Sequence, residues 1–235
     1  MDKYDIVYVY KYVDSQELKY SLRSVEANMT YNSVWLYGDE PKGIQPDHFV
    51  DVLQSGWTAG ERVMKMIKQA CENPDITDDF WLFNDDFFVL KKLSTTKSFY
   101  AGQLADRITA IEKKHKGKPT AYTMKLRKAE ERLKADGLTT KAFDAVHTPM
   151  LINKAKALET IATYPDIVMF RSMYGNMHKV PCIKIKDTKI HTPHDVPAED
   201  ARFVSTNDIS FKKECGRYIR RQFTKPSRFE VRADG

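Results

Sequence analysis

The sequence predicts an α/β protein: a mostly parallel sheet flanked by helices, with a helical basic insertion. Two observations carry this. The first 83 residues read strand, helix, strand, strand, helix, strand, an order that parallel sheets with helices on their faces produce. Three of those strands then run straight into polar residues, which is what a shared ligand cleft at the carboxyl ends of parallel strands requires. The first strand is the β-branched and aromatic run 5–12 (DIVYVYKY). Val13-Asp14-Ser15 supplies caps for an amphipathic helix over 16–28, with Leu18, Leu22, Val25 and Met29 on one face. A second strand follows at 33–37 (SVWLY), closed by Gly38-Asp39-Glu40-Pro41, and a third at 49–53. Thr58 is placed to N-cap a helix to 72 that Asn73-Pro74 ends.

The fourth strand, 80–83, opens the most informative segment, FWLFNDDFFVL over 80–90. An aromatic run of this kind favours burial, whereas Asp85 and Asp86 cannot be buried unpaired at tolerable cost. A buried strand that ends where Asn84-Asp85-Asp86 emerges into a cleft reconciles the two. Residues 98–140 then turn charged and helical, with Gly117-Lys118-Pro119 as a break, and predict two helices forming an insertion or lid. Core-like residues return at 143–152, followed by a helix over 154–163 that ends at Tyr164-Pro165. An apolar run at 167–174 holds Arg171. A short strand is expected at 183–189, and the segment 201–211 contains Phe203-Val204-Ser205-Thr206-Asn207-Asp208. No repeat or low-complexity linker divides the 235 residues, so one catalytic domain is expected, with a basic, frayed tail over 217–235.

Composition bounds the function classes. A hydrophobic content of 42% with 11% aromatics is that of a folded chain and excludes disorder over most of the length. The N-terminus, Met1-Asp2-Lys3-Tyr4-Asp5, lacks the basic and apolar regions of a signal peptide, and no apolar run approaches the roughly 20 residues of a membrane span. Cys71, Cys182 and Cys215 are widely spaced and odd in number, so free thiols in a reducing cytoplasm are expected. A net charge of +6 favours acidic partners: nucleotide donors, nucleic acid or anionic polysaccharide. Much of the excess lies between Arg107 and Lys134, either a solvated helical face or a platform for an anionic acceptor.

Several residues could carry chemistry. Asp85 and Asp86 offer oxygen ligands that suit Mg²⁺ or Mn²⁺, although such a pair can equally cap a turn or bind an arginine. Neighbouring side chains on a strand point oppositely, so Asp86 is expected to coordinate directly with Asp85 in support. His147, in an otherwise apolar strand-like context, is either a satisfied core histidine or a general base or metal ligand. Arg171 inside its apolar run needs an anion, a protein carboxylate or a phosphate. Arg23 reads as a helix-surface arginine. Asn207-Asp208 repeats the strand-then-polar pattern of the Asp85-Asp86 turn. His191 and His194 resemble a metal pair only loosely.

Five short blocks together resemble a known family. Leu18-Lys19-Tyr20-Ser21-Leu22-Arg23-Ser24-Val25-Glu26 resembles the ELKYSLRSIE-type helix of the Stealth proteins, the sugar-phosphate transferases of capsule synthesis and lysosomal tagging. Phe83-Asn84-Asp85-Asp86-Phe87-Phe88 is similar to their NDDFF segment, His147-Thr148-Pro149-Met150 to their H-x-P-H/M block, and Phe170-Arg171-Ser172 to their FRS block. The block ending in Asn207-Asp208 resembles their terminal one. The resemblance implies a GT-A-like nucleotide-sugar fold, divalent-metal-dependent transfer, and site roles for Arg23, Asp86, His147, Arg171, Asn207 and Asp208. One departure bears on the reaction. The YTWVDG-type first block is absent, and the first strand runs almost directly into the LKYSLRS helix.

The expectation that follows is a glycosyltransferase with a nucleotide-diphosphate sugar donor, a UDP-sugar first, and an acceptor that could be an anionic polymer such as DNA or polysaccharide. Tyr10, Lys11 and Asp39 would hold the donor's nucleoside end, while Arg23, Arg171 and Asn207 clamp phosphates. Asp86 and Asp85 would bind Mg²⁺ or Mn²⁺, and His147 or Asp208 would deprotonate the acceptor. Sugar-1-phosphate transfer is the alternative inside the resembling family. A nucleic-acid-binding or DNA-base-glycosylating protein using the basic insertion is the alternative outside it.

Overall fold

In the computed structural model, residues 3–53 and 55–231 are described; Met1-Asp2 and the last four tail positions, for which expectations were stated above, lie outside them. The elements run β1 (Asp5–Tyr10), α1 (Glu17–Asn28), β2 (Val34–Gly38), β3 (His48–Asp51), α2 (Ala59–Glu72) and β4 (Asp79–Asn84). After them come β5 (Phe87–Val89), β6 (Ser98–Tyr100), α3 (Leu104–Lys114) and α4 (Ala121–Ala135). The chain continues with a 3-10 turn at Asp144–Val146, β7 (Met150–Asn153), α5 (Lys154–Thr163) and α6 (Phe170–Met177). It closes with β8 (Cys182–Lys184), β9 (Phe203–Ser205), α7 (Asp208–Lys212) and α8 (Glu214–Gln222).

The central sheet has the order β3-β2-β1-β4-β7, parallel except for β7 at the edge. The mostly parallel sheet with helices on its faces is therefore as the sequence predicts. All of β1 is buried, because both its faces are covered. Ile6, Tyr8 and Tyr10 pack with Leu18, Leu22 and Val25 of α1, whereas Val7 and Val9 share a core with Ile67 of α2 and Phe170 of α6. Period-two alternation thus divides one strand between two cores. Chain order runs from β1 outward to β2 and β3, then returns to place β4 on the other side of β1. The topological switch, where such sheets bind ligands, lies between the carboxyl ends of β1 and β4.

Serines lock α1 to the sheet. Ser21 Oγ donates to Phe87 O at 2.6 Å, so the Tyr8 hydroxyl must be the donor in its 2.8 Å bond to Ser21. Ser24 Oγ accepts from Val89 N at 3.0 Å. Thr58 caps α2 with a full capping box to Glu61, as its position predicts.

Four expectations need correction. The Asp85-Asp86 segment is a tight turn into a second strand, β5, which pairs antiparallel with β9. Residues 98–100 form β6 on β8 before the helices of the insertion begin. His147 is not in a strand; it sits at φ 51° in the turn before β7, because the chain must reverse between the 3-10 turn and the edge strand. The tail is not frayed over its described part: α8 forms, Phe229 is 1% exposed, and Glu230 closes onto α1. The α3–α4 insertion, in turn, shares a core with α6 through Ile108, Leu126, Leu133 and Met173.

Candidate functional site

The site gathers at the switch point. Asp85 and Asp86 occupy the β4–β5 turn, half-buried, and Glu17 stands beside them at the start of α1, 4% exposed. Thr206 Oγ1 donates to Glu17 Oε1 and Ser15 Oγ to Oε2 at 3.1 Å. Three carboxylates in a poorly hydrated place repel one another. Burial first, then Asp86 and Glu17, push the Asp85 carboxyl up to about 8, and burial likewise raises Glu17.

Cations face this acidic group. Lys189 Nζ donates to Asp86 Oδ2 at 2.8 Å, and Ser205 Oγ donates to the same oxygen at 2.8 Å. Arg171, 9% exposed, donates from Nη2 to Asn84 Oδ1 at 2.8 Å, while its Nε is buried with no partner among the described residues. Burial lowers the Arg171 pKa, with the charges of Asp144 and Asp86 opposing that shift. Asp144 also accepts from the backbone N–H groups of Arg171 and Ser172 at 3.3 and 2.7 Å, capping α6 from another element.

His147 lies across the same cluster. Its Nδ1 is 2.8 Å from Asp187 Oδ1, and because a carboxylate only accepts, Nδ1 carries the proton and Nε2 is left as the basic nitrogen. Arg107 Nη2 holds the other oxygen of Asp187 at 2.7 Å. Burial would raise Asp187, but His147, the Lys189 N–H and Arg107 outweigh it and pull its pKa down. The segment Asp187-Thr188-Lys189 therefore straps the histidine to the acidic turn: Thr188 Oγ1 donates to His147 O at 2.7 Å, and Lys189 N to Asp187 Oδ1 at 3.0 Å.

Other expected residues are distributed differently. Tyr10 lies within the field of Asp85; burial first and that charge second push its phenol up to about 12. Asp39 Oδ2 accepts from Tyr12 N at 2.8 Å and so shapes the loop after β1, on which Lys11 is exposed. Arg23 does not face the cluster. Its fork is filled by Glu230 at 2.7 Å on both oxygens and by the carbonyl of Phe223 at 2.9 Å, so a tail carboxylate stands where a donor phosphate was expected. Asn207 Oδ1 accepts from Ser210 N at 2.9 Å as the N-cap of α7, and Asp208 is an exposed residue whose charge reaches Glu17. Asp187, Lys189, Glu17 and Asp144 were not singled out beforehand. Asp187-Thr188-Lys189 carried a usable signal: like Asp85-Asp86, it is polar and closes an expected strand.

Among the described residues, no three His, Cys, Asp or Glu side chains converge into a metal cage. Mg²⁺ and Mn²⁺ do not require one, since one or two carboxylates commonly suffice when water and substrate phosphates complete the shell. Burial first, and then the charges of Asp86 and Glu17, hold the Asp85 carboxyl up to about 8, a repulsion that a cation beside it would relieve, and the carboxylate oxygens of Asp85 and Asp86 are of the type these ions take. Lys189 already neutralises one oxygen of Asp86.

Fold and site together define an α/β protein with a cluster of charged side chains at the switch point of a mostly parallel sheet. No family model matches the chain, and no curated protein matches its sequence. Among solved structures it is similar to the glycosyltransferase GlyE of Streptococcus pneumoniae TIGR4, with a TM-score of 0.42 and 11% identity over 79% of this chain and 46% of that one. The apo form of the same enzyme gives 0.41 and 12% over 87% and 54%. The chain spans about half the length of these structures. No helix among the described residues is long and apolar enough to cross a membrane.

Proposed function

We propose that the protein is a glycosyltransferase that takes a sugar from a nucleotide-diphosphate donor, a UDP-sugar first, and places it on an acceptor hydroxyl. The observation that carries this reading is the strap Asp187-Thr188-Lys189. It joins a histidine base, His147, to a cationic and acidic cluster suited to a departing diphosphate. His147 Nε2 takes the acceptor proton as the acceptor oxygen bonds to the anomeric carbon. The bond from that carbon to the diphosphate breaks, and Arg171 and Lys189 neutralise the charge that leaves. Asp208 is the second candidate base. Tyr10, Lys11 and Asp39 stand at the ends of β1 and β2, where the nucleoside would lie. A Mg²⁺ or Mn²⁺ ion held by Asp86 and Asp85 would supply Lewis-acid stabilisation of the same phosphate oxygens.

Sugar-1-phosphate transfer, the outcome in the Stealth family, is the second reading, supported by the NDDFF-like and FRS-like blocks that bring Asp86 and Arg171 together. The nucleotide product separates the two. Incubating the protein with a panel of nucleotide sugars and Mg²⁺ or Mn²⁺ is expected to release UDP, whereas UMP would establish phosphosugar transfer. Asp86→Ala should lower donor turnover by about 100-fold or more. Full activity in EDTA would remove the metal, and no turnover of any donor would remove the reading.

A further inference from the structure

Resting on that reading, we propose that the α3–α4 hairpin builds the acceptor subsite, and that the acceptor is an anionic saccharide whose ring lies on Tyr122 and whose acidic group meets Arg107. The hairpin is not remote from the chemistry. Arg107 of α3 reaches the carboxylate that orients His147, with Nη2 2.7 Å from Asp187 Oδ2, while His147 Nδ1 holds the other oxygen at 2.8 Å. Its side chain keeps 24% exposure, and its Nε is buried with no partner among the described residues. A buried donor left unpaired is costly, a cost that a ligand oxygen bonded to it would recover.

Tyr122 stands in the first turn of α4, fixed there by the capping box of Thr120. It is 36% exposed, so part of the side chain remains open to solvent. Its phenol is nonetheless raised by burial and by the carboxylate of Asp144, and Arg107 and Asp187 are near enough to act on it as well. Sugar rings stack on such a platform through their apolar C–H faces. At the end of α3, Lys114 is close enough to help lower the pKa of His191, beside the cleft. A saccharide with a carboxylate or phosphate near its reactive hydroxyl meets all of these groups.

A nucleic-acid backbone fits less well. The four basic residues of α4 from Arg127 to Lys134 are each paired with a carboxylate at 2.6–3.2 Å, so that helix offers no continuous track for successive phosphates.

The test measures binding by calorimetry, independently of turnover, with trigalacturonate and glucose 6-phosphate as anionic probes, maltotriose as the neutral one, and a single-stranded oligonucleotide. One or both anionic probes should bind at least tenfold more tightly than maltotriose, and the two arms identify carboxylate or phosphate as the favoured group. Tyr122→Ala should weaken that binding tenfold or more, Tyr122→Phe should retain it, and Arg107→Gln should erase the preference over maltotriose. Met124→Ala, on the exposed side of α4, should bind as the wild type does. The proposal is overturned if Tyr122→Ala binds within twofold of wild type, if the neutral sugar binds equally well, or if only the oligonucleotide binds. Anionic-sugar binding by a protein that turns over no nucleotide sugar would sustain the subsite and reject the donor reaction.

Discussion

At the scale of the residue, partner identity decides role. Arg23 and Arg171 are both arginines, each 9% exposed, each in a block that resembles the same family, yet they do different things. Arg171 reaches the acidic turn and keeps a buried Nε–H without a partner among the described residues, so its hydrogen-bonding capacity is not used up within the fold. Arg23 is saturated by Glu230, a residue 207 positions away. Burial would raise Glu230, but Arg23, the Ser227 N–H and Lys19 dominate and pull it down to about 2 from 4.5. A carboxylate depressed by folding stabilises the fold above its unfolded pKa and loses that contribution as pH falls through the folded one. Stability should therefore drop between about pH 4.5 and 2 by about 2–3 kcal/mol, a drop that Glu230→Gln removes in urea titrations. Arg23→Ala should cost about 3 kcal/mol by removing the fork that holds both oxygens of Glu230, which then keeps only Lys19 and Ser227. A raised donor KM at unchanged stability would instead restore the phosphate-clamp role.

At the scale of the element, the helix that delivers Arg171 is positioned by tight packing. α6 has no side-chain cap of its own and takes Asp144 from the preceding 3-10 turn. Gly175 lies against Phe143, so closely that an added Cβ would stand 2.6 Å from the ring. Gly175→Ala should push α6 away from the turn and cost about 1–3 kcal/mol. Calorimetry should then read a melting temperature lower by about 2–4 °C for each kcal/mol. Because Arg171 moves with the helix, donor KM should rise in the same variant, and a stability loss with unaltered donor KM would separate α6 from the site. The elements themselves were largely legible. Residues 154–163 read as a helix because its apolar spacing and the Tyr164-Pro165 stop are local, and α5 spans them. β5 and β6 were not read as strands, since three-residue strands carry too little pattern and owe their conformation to pairing across the chain, whereas β9 was legible in the strand-then-polar pattern that ends at Asn207-Asp208.

For the whole molecule, ligand binding at the switch point should link to global stability, since the cleft draws on β1, β4, α1, α6 and the 187–189 strap at once. UDP with Mn²⁺ at about 100 times its dissociation constant should add about 2.7 kcal/mol, visible as a higher melting temperature. EDTA should return that increment to the UDP-only value, and an equal shift in EDTA would show that Lys189 and Arg171 suffice.

The sequence by itself determined the α/β class, the order of the sheet-forming segments, and the location of one polar centre, Asp85-Asp86. Each is encoded over a few residues, in periodicity, caps and the cost of burying carboxylates. The tertiary structure alone decided which charges answer that centre. Lys189 meets Asp86 across 103 positions and Asp187 meets His147 across 40, contacts that no local spacing encodes. The fold also withdrew Arg23 to the tail and brought Arg107 to Asp187, the carboxylate that holds the histidine, because a charge takes the counter-charge that the packed backbone sets beside it.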